Sequence, residues 1–180
     1  MKNYSLLALT GALGLVLALT LSGCQQHREM MPYFGKWDGG FYVDEAESTR
    51  AGFAAPRLGK SAIALKRYTM EGYLMLYATR DSFKLHLEGE QVVIDVDGTW
   101  SVTKNSRGED RISLRPKGFK IDDFGGADMR DPNKAYIPSL DIRDTYGKEI
   151  LLKPSKDRQK LDGLTMSLGK LVGTHLWKRV

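Results

Sequence analysis

From residue 35 onward a period of two dominates the order of apolar and polar side chains. In SFKLHLEG (82–89), Phe83, Leu85 and Leu87 alternate with Lys84, His86 and Glu88, the pattern of a strand with one face in a core and one in water. VVIDVDGTWSV (92–102) sets Val92, Ile94 and Val96 against Asp95 and Asp97. Gly98 then suggests a bulge or a change of face before Trp100 and Val102. EGYLMLYA (71–78) is apolar on both faces, with Tyr73, Met75 and Tyr77 on one and Leu74 and Leu76 on the other. GKWDGGFYVD (35–44), SAIALKRY (61–68, Ile63 and Leu65 on one face) and RISLRP (111–116, stopped by Pro116) read as further strands. EILLKP (149–154), GLTMSL (163–168) and THLWKRV (174–180) bring the total to about nine. Short strands at near-regular spacing, with turn clusters such as KNSRGED (104–110) between them, predict a sandwich or a barrel.

One region departs from this period. Residues 117–147 form a long insertion, in which Pro138, SLDIRDTY and Gly147 read as a short helix with a proline start and a glycine stop. Leu140, Ile142 and Tyr146 are positioned to face the barrel, and the element is a candidate cover for the second apolar face of 71–78. Long loops in compact domains are often functional, which makes this the place to expect specificity.

The N-terminal segment is of another kind. A single base, Lys2, precedes an apolar run from Leu6 to Leu21 that holds no charge. This is the n-region and h-region layout of a secretory signal. Leu21-Ser22-Gly23-Cys24 then places the chain's only cysteine after two small residues and an aliphatic one. The stretch resembles the lipobox of bacterial lipoproteins. That resemblance implies cleavage between Gly23 and Cys24 and acylation of the Cys24 thiol, with two or three chains giving a stable anchor where one is marginal. Gln25 in place of Asp leans towards an outer membrane if the host has one. The domains expected are a signal peptide (1–23), a lipidated polar tether (24–33) and a barrel domain (34–180), with His27 facing solvent.

Gly35-Lys36-Trp37 at the start of the first strand, the string of antiparallel strands and a late basic residue resemble the lipocalin-like (calycin) barrels. The resemblance implies a single small antiparallel up-and-down β-barrel of about eight or nine strands. Trp37 would close its floor, and Arg179 or Lys178 would lie over the indole in a cation–π contact. Gly39-Gly40 and the 117–147 insertion depart from the usual pattern of that family.

Composition and charge remove several chemistries. The 180 residues carry 27 Lys+Arg against 22 Asp+Glu, a net charge of +5, but the bases are interleaved with acids. Lys178-Arg179 is the densest basic site and too short for a patch, so no nucleic-acid partner is expected. Ala54–Ser61 fits a loose phosphate-loop pattern, but a strand follows it where a helix is required. Asp122, Asp123, Asp128, Asp131 and Asn133 crowd one loop without EF-hand spacing, and read as a hydrated acidic loop. His27, His86 and His175 share no ligand spacing; His86 falls on a polar face and His175 beside Trp177 reads as edge packing. No metal, cofactor or catalytic residue is expected, and an enzyme is the least favoured class.

Trp37, Tyr73, Tyr77 and Trp100 are candidates to line a pocket, while the competing reading is a core filled by its own side chains. Two functions follow for a membrane-anchored protein of the cell envelope. One is a non-catalytic binding module for an apolar or amphipathic ligand. The other is a structural or interaction lipoprotein with a filled core, whose long loop contacts another envelope component.

Overall fold

A computed structural model describes residues 27–53, 57–58, 61–62, 64–90, 92–123 and 139–180. The strands are β1 (Gly35–Val43), β2 (Arg57–Leu58), β3 (Ser61–Ala62), β4 (Met70–Leu76), β5 (Ser82–Glu88), β6 (Val92–Lys104), β7 (Asp110–Asp123), β8 (Ile150–Pro154), β9 (Lys160–Leu168) and β10 (Leu171–Arg179). Two short helices, α1 (Glu45–Arg50) and α2 (Ser139–Tyr146), lie between strands. Eight strands close in the order β1-β10-β9-β8-β7-β6-β5-β4, while β2 and β3 form a separate two-stranded ribbon. Every neighbour in the closed sheet is antiparallel and β1 pairs with both β4 and β10. The protein is thus a small up-and-down barrel, lipocalin-like in architecture.

The alternation fills the barrel. Leu74 and Leu76 of β4, Phe83, Leu85 and Leu87 of β5, and Ile94, Val96 and Trp100 of β6 are all at most 2% exposed. Full burial of such a side chain stabilises by about 1.5–3 kcal/mol before entropy is counted. Closing so small a barrel requires sharp strand coiling, and paired glycines allow it. Gly39 and Gly72 sit opposite each other in register. A Cβ on Gly39 would come 1.9 Å from the Leu176 carbonyl oxygen, and one on Gly72 would come 1.9 Å from that of His86.

Three local readings of the sequence change. Residues 61–68 do not form a barrel strand: Ser61–Ala62 pairs only with Arg57–Leu58, and Leu65–Tyr68 is a 3-10 helix. Side chains three apart line up on a 3-10 turn, so Leu65 and Tyr68 share a side, and Tyr68 is buried. Pro116 does not stop its strand. The β6–β7 register shifts where Asp97 faces Gly118 and Gly98 faces Pro116, leaving Lys117 as the extra residue of a bulge. A proline is tolerated at such a bulge, and β7 continues to Asp123. The inward face of β6 is unchanged across Gly98, since Val96, Trp100 and Val102 are all buried. Finally, residues 27–30 form a helical turn and Met31–Tyr33 a 3-10 turn. Met30 (0% exposed) and Tyr33 (1%) belong to the core, so the packed domain begins ahead of residue 34.

The two ends of the barrel differ. Residues 27–34, the turns at 77–81, 105–109 and 155–159, and the C-terminus gather at one end, which is closed by the N-terminal turns. At the other end α1 and α2 are docked. Asp44 caps α1 by accepting from the Glu47 amide at 3.0 Å. Buried Ser48 holds α1 to β10, donating to the Val172 carbonyl at 3.1 Å and accepting from its amide at 2.9 Å. The expected helix at 139–146 is present; it packs on β7 and β9 and does not cover the outer face of β4. Ile142 and Tyr146 are fully buried and Thr145 Oγ1 donates to the Ser167 carbonyl at 2.7 Å. The side chain of Leu140 and residues Asp128, Asp131 and Asn133 lie outside what the structure describes, as does most of 54–60.

Candidate functional site

The four aromatics expected to line a pocket do not share one wall. Trp37 and Trp100 point inward and are 0% and 2% exposed. Tyr73 and Tyr77 take the outer face of the β4 segment, where Tyr77 is 39% exposed. The inner face of β4 belongs to Leu74 and Leu76, which settles the two-sided pattern of that strand.

The two tryptophans form the floor of the closed end. Trp37 Nε1 donates to the Tyr33 carbonyl and Trp100 Nε1 to the Tyr77 carbonyl, each at 3.1 Å. Phe34 meets the Trp100 ring edge-on at 5.6 Å. The late basic residue over Trp37 is Arg179, with its guanidinium 5.6 Å from the ring centroid. Lys178 instead faces Asp38 across the β1–β10 pair. Below the floor, Tyr33 donates its hydroxyl to Asp110 at 2.7 Å. Burial, then the Asp110 carboxylate, push the Tyr33 hydroxyl up to about 12. Burial alone would raise Asp110, but hydrogen bonds from Lys104 and Tyr33 outweigh it and hold that carboxyl below its ordinary value. An open cleft of about 390 Å³ lies beside this pair, rimmed by Lys153, Lys156 and Arg158.

At the other end, His175 is an interior residue, 1% exposed. It stacks on Trp177 at 5.4 Å and meets Phe41 and Tyr146 edge-on at 5.6 Å. Nε2 shares a 3.1 Å hydrogen bond with the Tyr146 hydroxyl, while Nδ1 has no partner of standard geometry. Burial drops the imidazole to about 4, with the Gly40 carbonyl offsetting only part of the cost. Burial likewise raises the Tyr146 hydroxyl far above the phenol range. Both groups are therefore neutral near pH 7 and shut from water.

The outer surface carries the exposed chemistry. One row runs in register across six strands: Lys178, Asp38, Tyr73, His86, Asp95 and Lys120. His86 Nδ1 lies 2.9 Å from Asp95 Oδ1, Tyr73 stacks on His86 at 5.1 Å, and the Lys36 ammonium sits 5.7 Å from the Tyr73 ring. The polar face expected for His86 is therefore correct, but the side chain is half-buried in this row. Beside it an open groove of about 540 Å³ runs over Gly39 and Gly72 between Tyr42, Glu71, Leu176 and Lys178.

A feature missed in the linear sequence is the convergence of bases at the closed end. Lys153, Lys156, Arg158 and Lys160 come from the β8–β9 hairpin, and Lys178 and Arg179 from the adjoining end of β10. A signal for it existed: in an up-and-down barrel every second turn falls at the same end, so charges in those turns add. No protein-family model matches the chain, and no curated protein matches it in sequence.

Proposed function

We propose that the mature protein is a lipid-anchored component of the cell envelope that works through its outer surface, as a structural or interaction module, rather than by carrying a ligand inside the barrel. The observation that carries this reading is the occupied interior: Trp37, Phe41, Phe83, Trp100, Tyr146 and Trp177 are each 2% exposed or less. Barrels of about eight strands are just wide enough to be filled in this way. The charge-free apolar run ending in Leu21-Ser22-Gly23-Cys24 supports the anchor at Cys24.

The test has two arms. Mass spectrometry of the N-terminus of the mature protein should find Cys24 diacylated at sulfur, and Cys24→Ser should move the protein from the membrane to the soluble fraction. An unmodified Cys24, or retention of residues 1–23, would overturn the anchor. Titration with fatty acids and hydrophobic dyes should leave tryptophan fluorescence unchanged. A saturable change that Trp100→Phe abolishes would restore the ligand-carrier reading.

A further inference from the structure

The closed end of the barrel gathers bases that strand pairing does not need. Lys160 and Lys178 lie directly opposite each other across β9 and β10, and like charges so placed weaken a strand pair. Lys153, Lys156, Arg158 and Arg179 surround them, and all six are exposed. Of the acids nearby, Asp157 is engaged by the Ser155 hydroxyl at 2.5 Å and the Gln159 amide at 3.1 Å, Asp38 pairs with Lys36 at 2.9 Å, Glu109 pairs with Lys153 at 3.7 Å, and Asp162 lies opposite Lys153 across β8 and β9. Among the described residues no ion pair within 4.0 Å holds Lys156, Lys160 or Lys178. Met31 (57% exposed) and Val180 (75%) add apolar side chains at the same end.

The length of chain between anchor and barrel decides what this surface meets. Three peptide units separate Cys24 from His27, a reach of at most about 10 Å. Beyond them the chain is fixed, because Met30 and Tyr33 are buried in the floor. A headgroup layer is about 5–7 Å thick, and charges act on one another over about 8 Å at physiological salt. A barrel tethered by its floor on so short a leash holds that floor within range of the bilayer surface.

Resting on acylation of Cys24, we propose that the closed end is a membrane-facing surface. Lys156, Lys160 and Lys178, flanked by Met31 and Val180, dock on anionic phospholipid headgroups of the membrane that holds the anchor. The opposite end, with α1 and α2, then points away from the bilayer.

The full acylated protein, reconstituted in phosphatidylcholine vesicles with or without phosphatidylglycerol, tests this. A fluorophore is placed at Arg107→Cys in the β6–β7 turn of the closed end, or at Glu45→Cys on α1, and quenched by headgroup-spin-labelled lipid. The closed-end label should be quenched at least about threefold more than the α1 label on anionic vesicles. The excess should fall at about 0.5 M salt. Charge reversal at Lys156→Glu and Lys160→Glu with neutralisation at Lys178→Gln should remove the anionic-lipid excess while the circular dichroism spectrum stays unchanged. Those three side chains are exposed, and glutamine at 178 places no second acid opposite Asp38, so folding is a fair control. Equal quenching of the two labels, or an unaffected charge-reversed protein, would overturn the proposal with the anchor intact. Equal quenching together with salt-sensitive binding to polyphosphate would reassign the basic face to a soluble polyanion. An unacylated Cys24 would remove the anchor and this orientation together, and the mass measurement separates that failure from the others.

Discussion

Arg179 lies over the indole of Trp37 at 5.6 Å and donates to the Pro32 carbonyl at 2.7 Å and the Phe34 carbonyl at 3.1 Å. One residue at the C-terminal end thereby ties the N-terminal turns onto the barrel floor. Arg179→Ala should cost about 2 kcal/mol, combining a cation–π contact with charge-assisted hydrogen bonds. Arg179→Lys should recover less than half of that, since an ammonium cannot span both carbonyls while covering the ring. Urea denaturation followed by tryptophan fluorescence reads both; a loss below about 0.5 kcal/mol for the alanine variant would show the clamp to be ornamental.

The His175 imidazole makes stability depend on pH in a window of its own. Its folded value, about 4, lies below the 6.5 of the free side chain. As pH falls through 6.5 the unfolded chain takes up a proton that the folded chain refuses, so stability declines on acidification. The decline ends near pH 4, after a loss of roughly 3 kcal/mol. Glu149, held down by hydrogen bonds from Ser113 and Arg115, loses its contribution only in the carboxylate range at lower pH. His175→Phe should flatten the profile between about pH 4.5 and 6.5. It should also lower stability at pH 7, because the buried Tyr146 hydroxyl loses its hydrogen-bond partner. A wild-type profile already flat across that window would contradict a buried neutral imidazole.

The inside and outside of the β4–β6 region should separate cleanly by mutation. Trp100→Ala should destabilise by about 3–5 kcal/mol, as expected for a large aromatic lost from a packed core. Tyr77→Ala, on the outer face, should stay within about 1 kcal/mol. Thermal and urea unfolding give both values, and comparable losses would mean that the two side chains share one environment.

Gly72→Ala brings a methyl group against a main-chain carbonyl that strand pairing holds in place. A loss of about 1–3 kcal/mol is expected, with Gly39→Ala similar because the two glycines are neighbours. Gly108→Ala, at φ +75° in an exposed turn with open space around it, should show only the smaller cost of a left-handed conformation. If Gly72→Ala is as mild as Gly108→Ala, the coiling of β1 and β4 is looser than the contact distances imply.

Much of this architecture is legible in the alternation of single strands. Phe83-Leu85-Leu87 and Val92-Ile94-Val96 identify β5 and β6 together with their inner faces, and Pro138…Gly147 brackets α2. Less legible is whatever depends on a period other than two, as in the Leu65–Tyr68 turn, or on a bulge that lets a strand pass Pro116. The role of His175 is also hidden, since burial at one level of the barrel depends on what α2 brings down over it. The basic end is dispersed in sequence for a topological reason: residues 153–160 and 178–179 meet only because β9 and β10 are neighbours.

Closure of β1 onto both β4 and β10 has a consequence for life on a surface. Anchored proteins are concentrated in two dimensions, where a free sheet edge would template pairing between neighbouring copies. β1, hydrogen-bonded on both sides, offers no such edge; among the described residues the gap in pairing lies on β7 past Leu114 and on β9 past Gly163, and α2 packs against those two strands. On the proposed anchor at Cys24, copies side by side would therefore not zip together through β1, and main-chain pairing between them would first have to displace α2 from β7 and β9.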